Sequence, residues 1–239
     1  MKVLITGATS GIGRQLALDY HRQGHQVWAL GRNSEALATL AELGLHTAKL
    51  ELTDRQATLD WFAQMGPLDL VVLNAGSCEY VDMPPFDSAL FARVMATNVL
   101  SMATCIEGVL PCLAQGARPH LVGMSSSSAY LPLPRAEAYG ASKAAIRYLM
   151  ETLYITLKPQ GITVSCVFPG FVDTPLTARN DFPMPMQVSV EKAAKAIRQG
   201  IAKRRFEIRF PGFFTGLLKL LRYLPRRLWR HFAQGMIRT

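Results

Sequence analysis

"KVLITGATSGIG", residues 2–13, is a short run of β-branched and apolar residues that breaks into glycines. Such a run reads as a strand entering a turn. The stretch that follows, "GRQLALDYHRQG" (13–24), has apolar residues at 16, 17 and 20 and stops at Gly24, as a helix does. The alternation continues along the chain. Further strands are read at 25–32, 46–54, 68–76, 119–129, 161–170 and 206–210. Helices are read at 34–44, 55–65, 87–116, from Tyr139 onward, and at 190–203. Residues 68–76, "LDLVVLNAG", are nearly all apolar, which marks a strand buried on both faces. Strands alternating with helices of this length imply an α/β fold with a parallel sheet and helices on both faces.

Composition agrees with one large α/β unit. The chain has 239 residues, 49% of them apolar, enough for a sizeable core. The expected division is a catalytic domain over 1–211 and a helical tail over 212–239. Cys78, Cys105, Cys112 and Cys166 lack C-x-x-C spacing and read as buried thiols of a reducing compartment, so the expected location is cytoplasmic. No metal-ligating pattern is present, and the N-terminal apolar run is too short for a signal peptide. No stretch reaches about 18 uninterrupted apolar residues, so no spanning helix is expected. The net charge of +9 is uneven: residues 192–239 hold 13 Lys/Arg and one acid, whereas residues 1–191 hold 13 Lys/Arg and 16 Asp/Glu. A basic tail on a mildly acidic body suits contact with an anionic surface.

Ligands of such sheets bind beyond the carboxyl ends of the strands, and the unusual residues cluster there. In "TGATSGIG" (6–13), glycines let the backbone approach a pyrophosphate, and free N–H groups at the helix start attract anions. Gly7, Ser10, Gly11, Ile12 and Gly13 are the candidates. The second strand ends in Gly31-Arg32, where a carboxylate would select NAD(H). Arg32 can instead take a 2′-phosphate through a bidentate contact, which favours NADP(H); the alternative is an ordinary surface cation. In "AYGASKAA" (138–145), Tyr139 and Lys143 stand one helical turn apart with only small residues between them. An ammonium beside a phenol favours the phenolate and lowers the phenol's pKa. Alone, the pair reads rather as a surface helix with a half-buried Tyr and a solvated Lys, since this spacing is common by chance.

Taken together, these residues resemble the short-chain dehydrogenase/reductase family over nearly all of residues 2–210. Thr6, Gly7, Gly11 and Gly13 fit its T-G-x-x-x-G-x-G, and Asn74, Ala75 and Gly76 fit its N-A-G. Asn98 fits its helix asparagine; Ser126 lies 13 residues before Tyr139, with Lys143 following; "PGFVDTP" (169–175) fits its P-G-x-x-x-T. The resemblance implies a doubly wound Rossmann fold. It also implies that Tyr139 passes a proton to a carbonyl oxygen as hydride arrives from the nicotinamide. In it Ser126 hydrogen-bonds that oxygen, Lys143 binds the nicotinamide ribose and lowers the Tyr139 pKa, and Asn98 holds a water that resupplies protons. Thr174 and the Val172 backbone are implied at the nicotinamide carboxamide, Pro169 among the cofactor contacts, and Leu52 near the adenine, with Glu51 where relatives commonly have Asp. Of the four serines at 125–128, spacing alone selects Ser126. His120 has no evident partner and is given no catalytic role.

The resulting expectation is an NADP(H)-dependent oxidoreductase acting on the carbonyl or alcohol of an apolar, lipid-like small molecule. The other reading is a cofactor-binding scaffold or sensor on the same fold. Family resemblance implies a homo-oligomer. After Thr174, Phe182, Met184 and Met186 suit an apolar, adaptable pocket or a plain loop. In the tail, Phe213, Leu217, Leu220, Leu221 and Leu224 share one helix face, and Leu228, Trp229, Phe232 and Met236 a second, with Arg226, Arg227 and Arg230 across from it. This basic amphipathic extension suits a membrane interface, or packing on its own domain or a twin subunit. Nucleic acid is not expected, because no recognisable module is present and the basic charge sits on hydrophobic helices.

Overall fold

The computed structural model describes residues 1–81, 83 and 85–236. Among them, seven strands form one parallel sheet: β1 (Lys2–Thr6), β2 (Gln26–Gly31), β3 (His46–Lys49), β4 (Leu70–Leu73), β5 (His120–Met124), β6 (Thr163–Pro169) and β7 (Glu207–Phe210). Their order is β3-β2-β1-β4-β5-β6-β7. Along β1 successive side chains alternate: Val3 and Ile5 enter one core, Leu4 the other. Helices α1 (Gly11–Arg22), α2 (Ser34–Glu42) and α7 (Val190–Ala202) cover the first face. Helices α3 (Arg55–Ala63), α5 (Ser101–Ala114) and α6 (Glu137–Thr156) cover the second, and α4 (Ser88–Met95) packs on α6. The chain runs outward from β1 to β3, then returns to place β4 on the other side of β1. That reversal opens a crevice at the carboxyl ends of β1 and β4.

The third strand ends at Lys49 and the fifth at Met124. Both therefore leave the sheet sooner than the sequence pattern predicts. The helix read over 87–116 is not uniform: α4 and α5 are joined by a π-helical segment, Ala96–Leu100, which buries Asn98. The run Ser88–Ala114 is long and apolar enough to cross a bilayer, but Met102, Cys105, Val109 and Leu113 are buried in the core beneath it. His120 does have a partner. At the start of β5 its Nε2 lies 2.7 Å from Ser165 Oγ, which donates to Arg205 O. Ser165 thus accepts from the ring, and burial pulls His120 down to about 4.

The tail forms helices α8 (Gly212–Leu221) and α9 (Arg226–Gln234); residues 237–239 lie outside the described residues. Its inner side packs on the α/β unit. Thr215 is fully buried, Leu218, Leu221 and Ala233 lie against the core, and the Trp229 indole donates to Pro132 O at 2.9 Å. The two apolar faces read from the sequence are therefore split: Leu221 and Trp229 point inward, whereas Phe213, Leu217, Leu220, Leu228, Phe232 and Met236 stay exposed.

Candidate active site

The crevice begins where β1 enters α1. Gly7 and Gly11 have φ of +63° and +49°, conformations that L side chains rarely adopt. A Cβ on Gly7 would stand 2.8 Å from Ala75 Cα, so the loop closes tightly on the end of β4. Hydrogen bonds complete that closure. The Asn74 side-chain amide donates to Thr6 O and Gly7 O at 3.1 and 3.2 Å. Thr6 Oγ1 accepts from the backbone of Asn74 and Ala75 at 3.0 and 3.1 Å. Ser10 caps α1 without a side-chain capping bond. A groove of about 570 Å³ runs along these residues, lined by Gly7, Ser10, Gly11, Ile12, Arg32, Leu52, Asn74, Ala75, Gly76 and Thr174. A dinucleotide fits this cradle, because the groove runs over the tight glycine turn at the amino end of α1, where free N–H groups favour a pyrophosphate.

Five predicted contacts lie off the groove wall: Gly13, Tyr139, Lys143, Pro169 and Val172. A Cβ on Gly13 would meet Gly7 O at 2.3 Å, so Gly13 serves close helix–strand packing. Pro169 ends β6 against Phe210, and Val172 is buried in a bridge to Val188. Thr174 does reach the groove, within 3.2 Å of where a Gly11 Cβ would stand, and its backbone N–H is held by Thr177 Oγ1. Thr9, Asn33, Ser77, Thr97 and Ser101 also line the groove, although the sequence reading omits them. Asn33 and Ser77 directly follow Arg32 and Gly76, which is a usable signal. Thr97 and Ser101 depend on the π-helical segment and have none.

At the far end, Arg32 Nη1 lies 3.2 Å from Glu51 Oε2. Partial burial works to raise the Glu51 carboxyl, but hydrogen bonds from Thr53 and Arg32 together take it below the usual carboxylate range. Gly31 leaves no room for a side chain, because a Cβ there would stand 2.4 Å from Thr9 Cγ2. Arg32 is thus the first side chain past β2.

The chemical end lies between β5 and α6. Lys143 is buried, with Nζ 5.6 Å from the Tyr139 ring centroid and donating to Met124 O at 3.0 Å. Ser125 is committed to Lys143 O at 2.8 Å. Ser126 accepts from Ser128 N at 3.2 Å and hydrogen-bonds the Tyr139 phenol. Asn98 is fully buried, and its amide is spent on both backbone groups of Ser77 and on Ser142 Oγ. A water held by Asn98 would therefore have to use its backbone. The electrostatics differ from the expected pair. Burial pushes the Tyr139 phenol well above its ordinary value, with Cys78 adding to the rise and the Ser126 hydrogen bond opposing it. Burial pulls Lys143 down to about 8. The cost of burying a phenolate is thus the largest influence on Tyr139. Beside this end, Tyr80, Phe182, Phe171 and Phe214 form a ladder of ring contacts with centroids 5.4, 6.1 and 5.7 Å apart in turn.

Comparison with known proteins agrees with this architecture. A family model described as short chain dehydrogenase matches residues 1–183. An uncharacterized oxidoreductase of Myxococcus xanthus is 36% identical over 243 residues, covering 98% of this chain and 96% of that protein. An 11-beta-hydroxysteroid dehydrogenase-like protein of Arabidopsis thaliana is 31% identical over 242 residues, 93% of this chain and 77% of that one. A Burkholderia cenocepacia short chain dehydrogenase solved with NADP superposes with a TM-score of 0.86 at 21% identity, covering 97% and 96% of the two chains. Solved neighbours include structures with NADPH, with NADP and with NAD.

Proposed function

The chain belongs to the short-chain dehydrogenase family, and from that premise we propose that it is an NADP(H)-dependent reductase of an apolar, lipid-like carbonyl compound. What carries the reading is the meeting of Ser126, Tyr139 and Lys143, with Lys143 Nζ 3.5 Å from where a Cβ on Gly76 of the groove would stand. The nicotinamide, when bound, supplies the hydride. Tyr139 delivers its phenolic proton to the substrate oxygen. Ser126 donates a hydrogen bond to the same oxygen as charge gathers on it. Lys143 keeps N–H donors beyond its bond to Met124 O for the ribose. Arg32 supports the choice of NADP(H), since a 2′-phosphate offers it a stronger partner than Glu51 does. The ring ladder supports an apolar substrate.

Exposed Leu100, Tyr148 and Ile155 offer a face for a second copy. The buried free thiols of Cys105, Cys112 and Cys166 fit a reducing, cytoplasmic setting, with the C-terminal helices at an anionic membrane surface. The deciding experiment is Tyr139→Phe, assayed by NADPH absorbance on ketones and aldehydes of rising chain length. NADPH binding should persist while turnover falls by about 10²–10⁴-fold. Near-normal turnover removes Tyr139 from the chemistry. No turnover of any carbonyl by the unaltered chain, with binding intact, supports the sensor reading instead.

A further inference from the structure

Helix α8, "GFFTGLLKLL", is apolar apart from Thr215 and Lys219, and only Thr215 is fully buried. Its inner side holds Thr215 and Leu218 against the domain. Its outer side presents Phe213 at 74% exposure, Leu217 at 44% and Leu220 at 67%, and Tyr223 follows at 74%. An apolar helix face belongs in a core or in lipid, and among the described residues Phe213, Leu217 and Leu220 of this one are left exposed. Helix α9 continues the surface with Leu228 and Phe232 one turn apart, both exposed. Around this patch, Arg222, Arg226, Arg227 and Arg230 are all exposed. No acid follows Glu207, and Glu207 is itself engaged by Lys219, Arg209 and the Tyr130 hydroxyl. The patch is thus apolar at its centre and cationic around it, with no negative charge of its own.

The inner side leads to the chemistry. Phe214 neighbours the exposed Phe213 and makes ring contact with Phe171, which contacts Phe182, which contacts Tyr80. Gly170 admits this closeness, because a Cβ there would stand 3.0 Å from Phe214 Cδ1. Ring contacts therefore run from Phe214, on the inner side of α8, to Tyr80 in the loop after β4. We infer that α8 and α9 dock the protein on an anionic phospholipid bilayer, and that an apolar carbonyl substrate passes from the bilayer along this path to Tyr139. The second half rests on the reductase reading; the first does not. Apolar burial and cationic attraction to anionic lipid act together on such a surface.

The test uses the full-length chain with vesicles of phosphatidylcholine, with and without phosphatidylglycerol. Flotation should require phosphatidylglycerol and weaken as salt rises. Leu217→Glu with Leu220→Glu changes outward positions only. It should abolish flotation and leave turnover of a water-soluble carbonyl within about twofold, while turnover of a long-chain ketone carried in vesicles falls at least about tenfold. Arg226→Glu with Arg230→Glu should weaken vesicle binding at least about tenfold. Docking is overturned if the unaltered chain does not float, or if the leucine variant floats as well as it does. It is also overturned if the leucine variant instead splits a dimer seen by sedimentation, which would assign the patch to a second copy. Equal loss on soluble and vesicle-borne carbonyls overturns the substrate path. Flotation without turnover of any carbonyl defeats the reductase reading and leaves docking standing.

Discussion

Arg32 and Glu51 face each other across the ends of β2 and β3 with both side chains largely in water, at 70% and 49% exposure. A pair so exposed is worth at most ~1 kcal/mol, so a doubly charged phosphate competes easily for the guanidinium. Charge-assisted hydrogen bonds contribute about 1.5–3 kcal/mol each. Arg32→Ala should therefore lower kcat/KM for NADPH relative to NADH by about 10–100-fold. Glu51→Gln should move the same ratio a few-fold the other way. An unchanged ratio in Arg32→Ala means that the guanidinium does not read the phosphate. At this scale spacing made much of the site legible: Ser126, Tyr139 and Lys143 do converge. Net electrostatics were not legible, because the rise of the Tyr139 phenol depends on how deeply the fold buries it, which a four-residue interval does not encode.

At the scale of elements, β5 and β6 are joined at their amino ends by side chains as well as by the ladder. His120 bonds Ser165, and Arg204 bonds Pro119 O at 3.2 Å. His120 is buried and its folded pKa lies near 4, against 6.5 in the open chain. The unfolded state takes up the proton first. The contribution is thus whole above about pH 6.5 and is lost as pH falls toward 4, about 3 kcal/mol in all. Urea unfolding at pH 7 and pH 4.5 should show this loss in the unaltered chain and a smaller one in His120→Asn. Equal slopes would show that the imidazole does not titrate on unfolding. In sequence His120 is an isolated polar residue before an apolar strand. Its partner is 45 residues away, and only strand pairing brings it close.

For the whole molecule, the tail belongs to the fold. Trp229 lies in the same core as Tyr130, Leu131 and Phe168. Trp229→Ala should cost about 3–5 kcal/mol, which lowers Tm by roughly 6–20 °C in a chain of this size. Protease should then cleave beyond residue 211. An unchanged melt with a resistant tail would mean that α9 contributes little to folding. The helical pattern of the tail was legible, whereas its orientation was not: with apolar residues on both sides of α8, periodicity alone cannot choose the inner one. The π-helical turn at Ala96–Leu100 has a comparable reach. One surplus residue there resets the phase of the helical screw by about 100°. A single rod can then address α6 through α4 and α3 through α5. Deleting one residue from that turn would put the halves back in step, forcing a choice between seating Asn98 and keeping α5 against Phe62.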